Sequence, residues 1–185
     1  CGNVKNIIIN GNTVRLAKKG MKLDLGGIAA GFAVDRGIDA IKKNGAADAL
    51  INAGGDIRVT GESENSKWKI GILHPREENK LINTLTLKDI SVTTSGDYRK
   101  YFVSGGKRYH HILNPNTGLP TEGVQSVTII APLAVDSDAL ATTVFVLGKN
   151  KGMELIEKLK DVEGIIIDSD GLAIYSSGVK SYIHN

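Results

Sequence analysis

The chain has 185 residues, of which 41% are hydrophobic and 23% are charged, so it is long enough to bury a sizeable core without disulfide or metal staples. Its 23 basic and 20 acidic residues give a net charge of +3 and are spread along the sequence, which excludes the basic block expected of a nucleic-acid-binding protein. No uninterrupted apolar run has the length needed to cross a bilayer. We therefore expect a single globular domain over residues 1–185 and no nucleic-acid partner.

Cys1 is the single cysteine, which excludes a disulfide within the chain. Two interpretations of Cys1 stay open. It is either a lipid-modified residue exposed by removal of a signal peptide or the first residue of a cut fragment. The first interpretation would attach the protein to a membrane through a lipid anchor.

The chain opens with a predicted β-hairpin and a helix. Residues 7–9 and 14–16 are strand-like and flank Asn10-Gly11-Asn12, whose Asn and Gly residues tolerate the positive φ of a tight turn. Apolar residues then recur at helical spacing over residues 28–43, and Asn44-Gly45 supplies a signal for the end of the helix.

The middle and the end of the chain are predicted to contain mainly strands joined by short turns. Apolar or alternating runs of strand length lie at residues 49–51, 57–59, 68–72, 90–92, 101–103, 108–112 and 127–130. Hairpin turns are predicted at Ser104-Gly105-Gly106 and at Asp170-Gly171.

Two further helices are predicted near the C-terminus. Residues 134–147 carry apolar side chains at helical spacing, and Gly148 is a natural helix end. Another amphipathic stretch covers residues 152–159. Together, these patterns indicate an α+β fold with antiparallel β-sheets and about three helices packed on them.

Asp138 and Thr142 are the most informative residues of this region, because residues four apart on a helix share one face. Both side chains offer hard oxygen atoms. A carboxylate and a hydroxyl, short of a full ligand set, suit Mg²⁺ better than zinc, since Mg²⁺ keeps water ligands and takes oxygens from a bound phosphate. Capping of the helix by Asp136 or Asp138 is the alternative interpretation.

Three polar, glycine-rich segments precede this helix. Residues 24–31 place glycines at the start of the first predicted helix, where free N–H groups favour phosphate, although a plain turn with Asp24 as an N-terminal charge explains them too. Residues 52–56 can present amides and the Asp56 carboxylate to a ligand, or simply connect two strands. Residues 93–98 place three hydroxyl groups and a carboxylate just beyond a predicted strand, which favours a site.

His110 and His111 precede a rigid turn rich in proline and glycine. A histidine at this position can act as a base near neutral pH, and a structural role is the alternative. Because side chains alternate along a strand, only one of the pair can face a given side, so we do not expect the two to bind one metal ion.

These segments, in this order, resemble the motifs of the ApbE family, the FAD:protein FMN transferases. The motifs occupy residues 24–31, 52–56, 93–97 with 107–118, and 138–142. The resemblance runs from about Ile7 to the end of the chain and covers the C-terminal part of a family member. It implies an enzyme that holds FAD with Mg²⁺ at the pyrophosphate, attaches FMN through its phosphate to a threonine of an acceptor protein, and releases AMP.

The resemblance also implies a role for each matching residue. Asp138, Thr142 and the backbone carbonyl of Gly27 match the metal ligands, and His111 is the candidate base, with Asp56 as the alternative. The residues implied in FAD binding are Asp24, Ala30, Asn52, Gly54, Gly55, Thr94, Ser95, Gly96 and Leu113. Ala30 departs from the pattern, because members usually carry a lysine or glutamate at this position. The absence of that charged side chain should weaken FAD binding.

Two alternative functions stay open. Water in place of the threonine would make the protein an FAD pyrophosphatase that yields FMN and AMP, and loss of catalysis would leave an FAD-binding module. The resemblance further implies an extracytoplasmic location in a bacterium, in the periplasm or on the outer face of the membrane.

Overall fold

This computed structural model describes residues 4–184, which contain twelve β-strands, two α-helices and two short 3-10 helices (Val4–Asn6 and Val179–Tyr182). Cys1, the expected site of lipid attachment, lies outside the described residues. Within residues 4–184, none of the helices has the length and apolar character needed to cross a membrane.

One helix follows the first two strands, and the other precedes the last two. The strands are β1 (Ile7–Asn10), β2 (Thr13–Leu16), β3 (Ala49–Ala53), β4 (Asp56–Thr60), β5 (Trp68–Leu73), β6 (Leu81–Leu87), β7 (Ser91–Gly96), β8 (Tyr101–Ser104), β9 (Lys107–His110), β10 (Val124–Ala131), β11 (Glu163–Asp168) and β12 (Ala173–Tyr175). The helices are α1 (Ala29–Lys43) and α2 (Ala134–Lys158).

A six-stranded antiparallel sheet is the centre of the fold. Its strands lie in the order β12-β11-β10-β7-β4-β3, while β1–β2, β5–β6 and β8–β9 form separate two-stranded hairpins. Every residue of β10 is buried, so this central strand is covered on both faces.

The sheet separates two hydrophobic cores. Because side chains alternate along a strand, Ile129 and Ile130 of β10 point to opposite sides. Ile129 belongs to the core that contains Phe145 of α2, and Ile130 belongs to the core that contains Leu85 of the β5–β6 hairpin. The fold therefore has three layers: α2, the sheet, and the β5–β6 hairpin.

The predicted α+β class with antiparallel sheets is confirmed, but the prediction of about three helices is wrong. Residues 134–147 and 152–158 belong to one helical element, α2, whose two helical segments meet at Gly148, where the backbone is not helical (φ 77°, ψ 176°). Glycine adopts this positive φ at little cost, so the first segment ends there, at the predicted residue, and the second segment follows directly. Phe145 before the kink and Ile156 after it pack in the same core, which keeps both parts of α2 against the sheet.

The structure also extends one predicted strand. The sequence predicts a strand at residues 90–92 that ends before the polar residues 93–98, but β7 continues through Gly96. Thr93, Thr94 and Ser95 therefore lie within a strand that pairs with β10 on one side, and Thr93 also lies opposite Asp56 of β4. The three predicted hairpins, β1–β2, β8–β9 and β11–β12, are confirmed.

Candidate functional site

The close crossing of α1 and α2 fixes the position of Asp138. The Gly31 N–H of α1 donates a hydrogen bond of 2.9 Å to Asp138 Oδ2. A Cβ atom added at Gly31 would lie 2.2 Å from the carbonyl oxygen of Ala134, so only glycine permits this approach. Asp138 is 5% exposed, and its second carboxylate oxygen is left for another partner.

Capping of α2 by Asp136 or Asp138, the alternative interpretation, is wrong. The N-cap position is Leu133, whose side chain makes no capping bond. The cap comes from α1 instead, because the Asp35 carboxylate accepts hydrogen bonds of 2.9 Å from the N–H groups of Ala134 and Val135. A salt bridge of 2.6 Å to Arg58 of β4 holds this buried carboxylate in place.

Thr142 lies one helical turn beyond Asp138 and faces the end of β7. Its Oγ1 is 3.3 Å from the Ser95 hydroxyl oxygen. Gly27 packs against the same side chain, since a Cβ added there would lie 3.5 Å from Thr142 Oγ1. The fold thus brings together the three predicted metal ligands, Gly27, Asp138 and Thr142.

Asp56 supplies a second buried carboxylate in this region. Its Oδ1 atom is buried and has no hydrogen-bond partner among the described residues. Burial raises the pKa of Asp56, and the nearby Asp138 carboxylate raises it further, against the lowering effects of the Thr93 hydroxyl and of Arg99. Burial also raises the pKa of Asp138, and the Gly31 N–H opposes that increase.

The β3–β4 turn presents Asp56 to the site. Gly54 (φ 72°) and Gly55 (φ 114°) form the two-residue turn between the paired residues Ala53 and Asp56. The side chain of Asn52 accepts a hydrogen bond of 2.9 Å from the Gly55 N–H, which stabilises the turn. The predicted strand connection is therefore confirmed, and it places the Asp56 carboxylate in the lining of a cavity.

The two histidines diverge, as predicted. His110 is buried, with Nε2 2.8 Å from the Thr121 carbonyl oxygen and its ring edge-on to Phe145, so its surroundings are structural. His111 is exposed, and its backbone N–H and its Nδ1 both lie 3.2 Å from the Lys100 carbonyl oxygen.

Three adjoining cavities surround these residues. The central cavity has a volume of about 450 Å³ and a polar lining that includes Asp56, Asp138, Thr142 and His111. A cavity of about 410 Å³ adjoins it at Gly54, Thr94 and Arg99, and another of about 840 Å³ adjoins it at Gly26, Lys100, His111 and Thr142. Apolar side chains line both outer cavities, among them Ile57, Ile70, Ile72 and Val92 in the first and Ile112, Leu113 and Val146 in the second.

Each predicted site residue lines at least one of these cavities. The central cavity holds Ala30, Gly54, Asp56, Thr94, Ser95, Gly96, His111, Asp138 and Thr142. Asn52 and Gly55 line the smaller outer cavity, and Asp24, Gly27 and Leu113 line the larger one.

Arg99 and Lys100, which were not among the predicted site residues, also line the central cavity. The available signal was their position immediately after the polar run at residues 93–98, which places two cations next to a predicted ligand site.

Comparisons with a family model and with known proteins agree on one family. The ApbE family model matches residues 2–166. Two similar curated proteins are both named FAD:protein FMN transferase. The one from Treponema pallidum is 37% identical over 179 residues, covering 91% of this chain and 49% of that protein. The one from Klebsiella pneumoniae is 39% identical over 167 residues, covering 89% of this chain and 51% of that protein. The chain thus spans about half the length of these relatives.

Solved structures agree with this result. The crystal structure of the ApbE protein from Thermotoga maritima has a TM-score of 0.91 and 39% identity, covering 99% of this chain and 60% of that one. The flavin transferase ApbE from Vibrio cholerae has a TM-score of 0.85 and 29% identity, covering 97% of this chain and 59% of that chain. Because the family model matches most of its length and the relatives are 37% and 39% identical to it, the chain belongs to the ApbE family.

Proposed function

We propose that the protein transfers FMN from FAD to a threonine of an acceptor protein, depends on Mg²⁺, and releases AMP. The observation that carries this proposal is the arrangement of the three adjoining cavities. FAD has two ring systems joined through a charged pyrophosphate, and the site has two outer cavities with apolar walls joined through a polar one. The names of the T. pallidum and K. pneumoniae relatives support the same substrate and reaction.

The residues of the central cavity fit a magnesium ion. Among the described residues, no three His, Cys, Asp or Glu side chains converge into a metal site of their own. Mg²⁺ does not need such a set, because it binds through one or two carboxylates together with water and substrate phosphate oxygens. Asp138, the Thr142 hydroxyl and the Gly27 carbonyl would hold the ion, and the unpartnered Oδ1 of Asp56 is a further oxygen in the same cavity.

The proposed reaction exchanges one phosphate bond for another. The threonine oxygen attacks the phosphorus of the FMN half, the bond from that phosphorus to the bridging oxygen breaks, and AMP leaves with the bridging oxygen. When bound, Mg²⁺ supplies positive charge that offsets the negative charge of the reacting phosphates. The chain itself positions the substrate through the cavity walls and removes the proton of the threonine hydroxyl.

Two residues are candidates for the base that accepts this proton. His111 is exposed at the boundary of the central and larger outer cavities, and its Nδ1 is held near the Lys100 carbonyl oxygen, which leaves Nε2 for a substrate. Asp56 lies in the central cavity with a raised pKa, which makes its carboxylate a stronger base than an ordinary aspartate.

The test uses the whole gene product with FAD, Mg²⁺ and an acceptor flavoprotein expressed without its covalent FMN. We expect a fluorescent acceptor band in denaturing gels, one AMP released per FMN attached, and no label when EDTA replaces Mg²⁺. Free FMN and AMP formed equally fast without acceptor would instead identify an FAD pyrophosphatase. Tight FAD binding with neither product would identify a binding module.

Variants of the two candidate bases then separate their roles. His111→Ala should lower transfer without changing the melting temperature, because His111 is exposed, and His110→Ala serves as the structural control. If Asp56 is the base, His111→Ala will retain transfer, and Asp56→Asn will lose transfer while keeping the Mg²⁺ affinity of the wild type.

We also propose that the protein acts outside the bacterial cytoplasm and is anchored by a lipid at Cys1. Cys1 is the single cysteine of the sequence, so it is the thiol on which such a lipid would be carried. Cells grown with an alkyne fatty acid should give a labelled protein, and Cys1→Ser should remove the label. An unlabelled wild-type protein would contradict the lipid anchor.

A further inference from the structure

Arg99 lies where two of the cavities meet. It lines both the central cavity and the smaller outer cavity, and its side chain is exposed in both. The guanidinium group lies beside the β3–β4 turn, since a Cβ atom added at Gly55 would come within 3.0 Å of Arg99 Nη2. Its other neighbour is the ring of Tyr98, whose centroid is 5.8 Å away. The glycine turn therefore leaves the space that the guanidinium group needs at this junction.

Arg99 also lacks the carboxylate partner that other arginines of this fold have. Arg58 and Arg76 each form a salt bridge of 2.6 Å, to Asp35 and Asp97 respectively. Within residues 4–184, Arg99 has no carboxylate oxygen within 4.0 Å, although its charge is felt by Asp56. Its guanidinium donors are free to bind an anionic ligand at the cavity junction.

The charged residues of the central cavity fit an anion with two negative charges. When both carboxylates are ionised, Asp56 and Asp138 contribute two negative charges, and Arg99 and Lys100 contribute two positive charges. A bound Mg²⁺ would leave an excess of two positive charges, which matches the two negative charges of a dinucleotide pyrophosphate. This step rests on the proposed function, because it assumes that FAD and Mg²⁺ share the cavity.

We propose that Arg99 binds the pyrophosphate of FAD and is a specificity-determining residue for the dinucleotide. The planar guanidinium group offers paired N–H donors that match two phosphate oxygens, and hydrogen bonds between charged groups are stronger than neutral ones. A flavin without phosphate gains nothing from this contact. Arg99 thus favours FAD over riboflavin.

The experiment measures binding of FAD, riboflavin and inorganic pyrophosphate to the whole gene product by calorimetry in Mg²⁺. Arg99→Gln should weaken FAD and pyrophosphate binding roughly 10- to 150-fold, the effect of losing hydrogen bonds to a charged group, while riboflavin affinity stays within about twofold. Arg99→Lys keeps the charge without the planar fork and should fall between wild type and Arg99→Gln. Arg15→Gln is the matched control, because Arg15 is an exposed arginine on the distant β1–β2 hairpin.

Two results would overturn the assignment of Arg99. The first is that Arg99→Gln binds FAD and pyrophosphate with affinities within about twofold of those of the wild type. The other is an equal loss of FAD and riboflavin binding together with a lowered melting temperature, which would mean that Arg99 supports the fold. Failure of the proposed function looks different: the wild-type protein would then bind pyrophosphate, with a clear Arg99 effect, but show no preference for FAD. A wild-type protein that binds neither ligand contradicts both.

Discussion

Replacing Asp138 by asparagine should stabilise the metal-free protein and remove its response to Mg²⁺. Asparagine keeps the shape of the side chain and an oxygen that accepts the Gly31 hydrogen bond, but it carries no charge. Burial raises the pKa of Asp138 above that of the unfolded chain, so the ionised carboxylate is disfavoured in the folded state. Above the raised pKa, Asp138→Asn should therefore have a larger free energy of unfolding than the wild type in EDTA.

The pH dependence of this difference has a definite sign. For a carboxylate whose pKa is raised by folding, its contribution to stability is complete below the unfolded pKa and is lost as the pH rises through the folded pKa. The stability of the wild type should fall relative to Asp138→Asn by at most about 1.4 kcal/mol per pH unit in that window, since one group binds at most one proton. Above the window the difference should stay constant.

Asp138→Ala separates the role of charge from that of the hydrogen bond. Alanine leaves the Gly31 N–H buried without an acceptor, which costs about 1–3 kcal/mol, so this variant should be less stable than Asp138→Asn. For a chain of this size, the difference corresponds to roughly 2–12 °C in melting temperature. Thr142→Val should lower Mg²⁺ affinity less than either variant, because water can replace a neutral ligand.

The assay is chemical and thermal unfolding in EDTA and in Mg²⁺, from a pH below the ordinary aspartate pKa of 3.8 up to about pH 8. At a Mg²⁺ concentration of 100 times its Kd, the wild type should gain about 2.7 kcal/mol, and both Asp138 variants should gain far less. The reasoning is refuted if Mg²⁺ stabilises Asp138→Asn as much as the wild type, or if Asp138→Asn is less stable than Asp138→Ala in EDTA.

Two further predictions concern the residues that support Asp138. Gly31→Ala should lower the free energy of unfolding by about 1–3 kcal/mol and should lower Mg²⁺ affinity, because the new Cβ would meet the backbone of α2. Gly37→Ala in the same helix is the control, because its Cβ would meet only the flexible end of the Ile51 side chain. Equal melting temperatures for these two variants would show that α1 and α2 do not need the close approach. Asp35→Ala should cost about 3–5 kcal/mol, because it leaves Arg58 buried without its partner and removes the cap of α2. Asp39→Ala, which breaks an exposed ion pair, should change the unfolding free energy by less than about 1 kcal/mol, and a similar loss in both variants would contradict the buried role of Asp35.

The sequence by itself determined the features that depend on neighbouring residues. Asn10-Gly11 and Asp170-Gly171 specify their turns because glycine adopts the positive φ that each turn requires, so the hairpins could be predicted without the fold. The shared face of Asp138 and Thr142 likewise follows from helical spacing alone. Turn chemistry and periodicity act over a few residues, and a single sequence contains them completely.

Tertiary structure decided the features that depend on residues far apart in the chain. The acceptor of the Gly31 N–H lies 107 residues away, and the cap of α2 comes from Asp35, 99 residues before it, so neither could be assigned from local patterns. The second segment of α2 follows directly after the break at Gly148 because both segments pack in one core on the sheet, which the local stop signal does not reveal. Arg99 became a candidate site residue only when folding placed it beside the β3–β4 turn, because the charge of a cavity is the sum of groups that only the fold brings together.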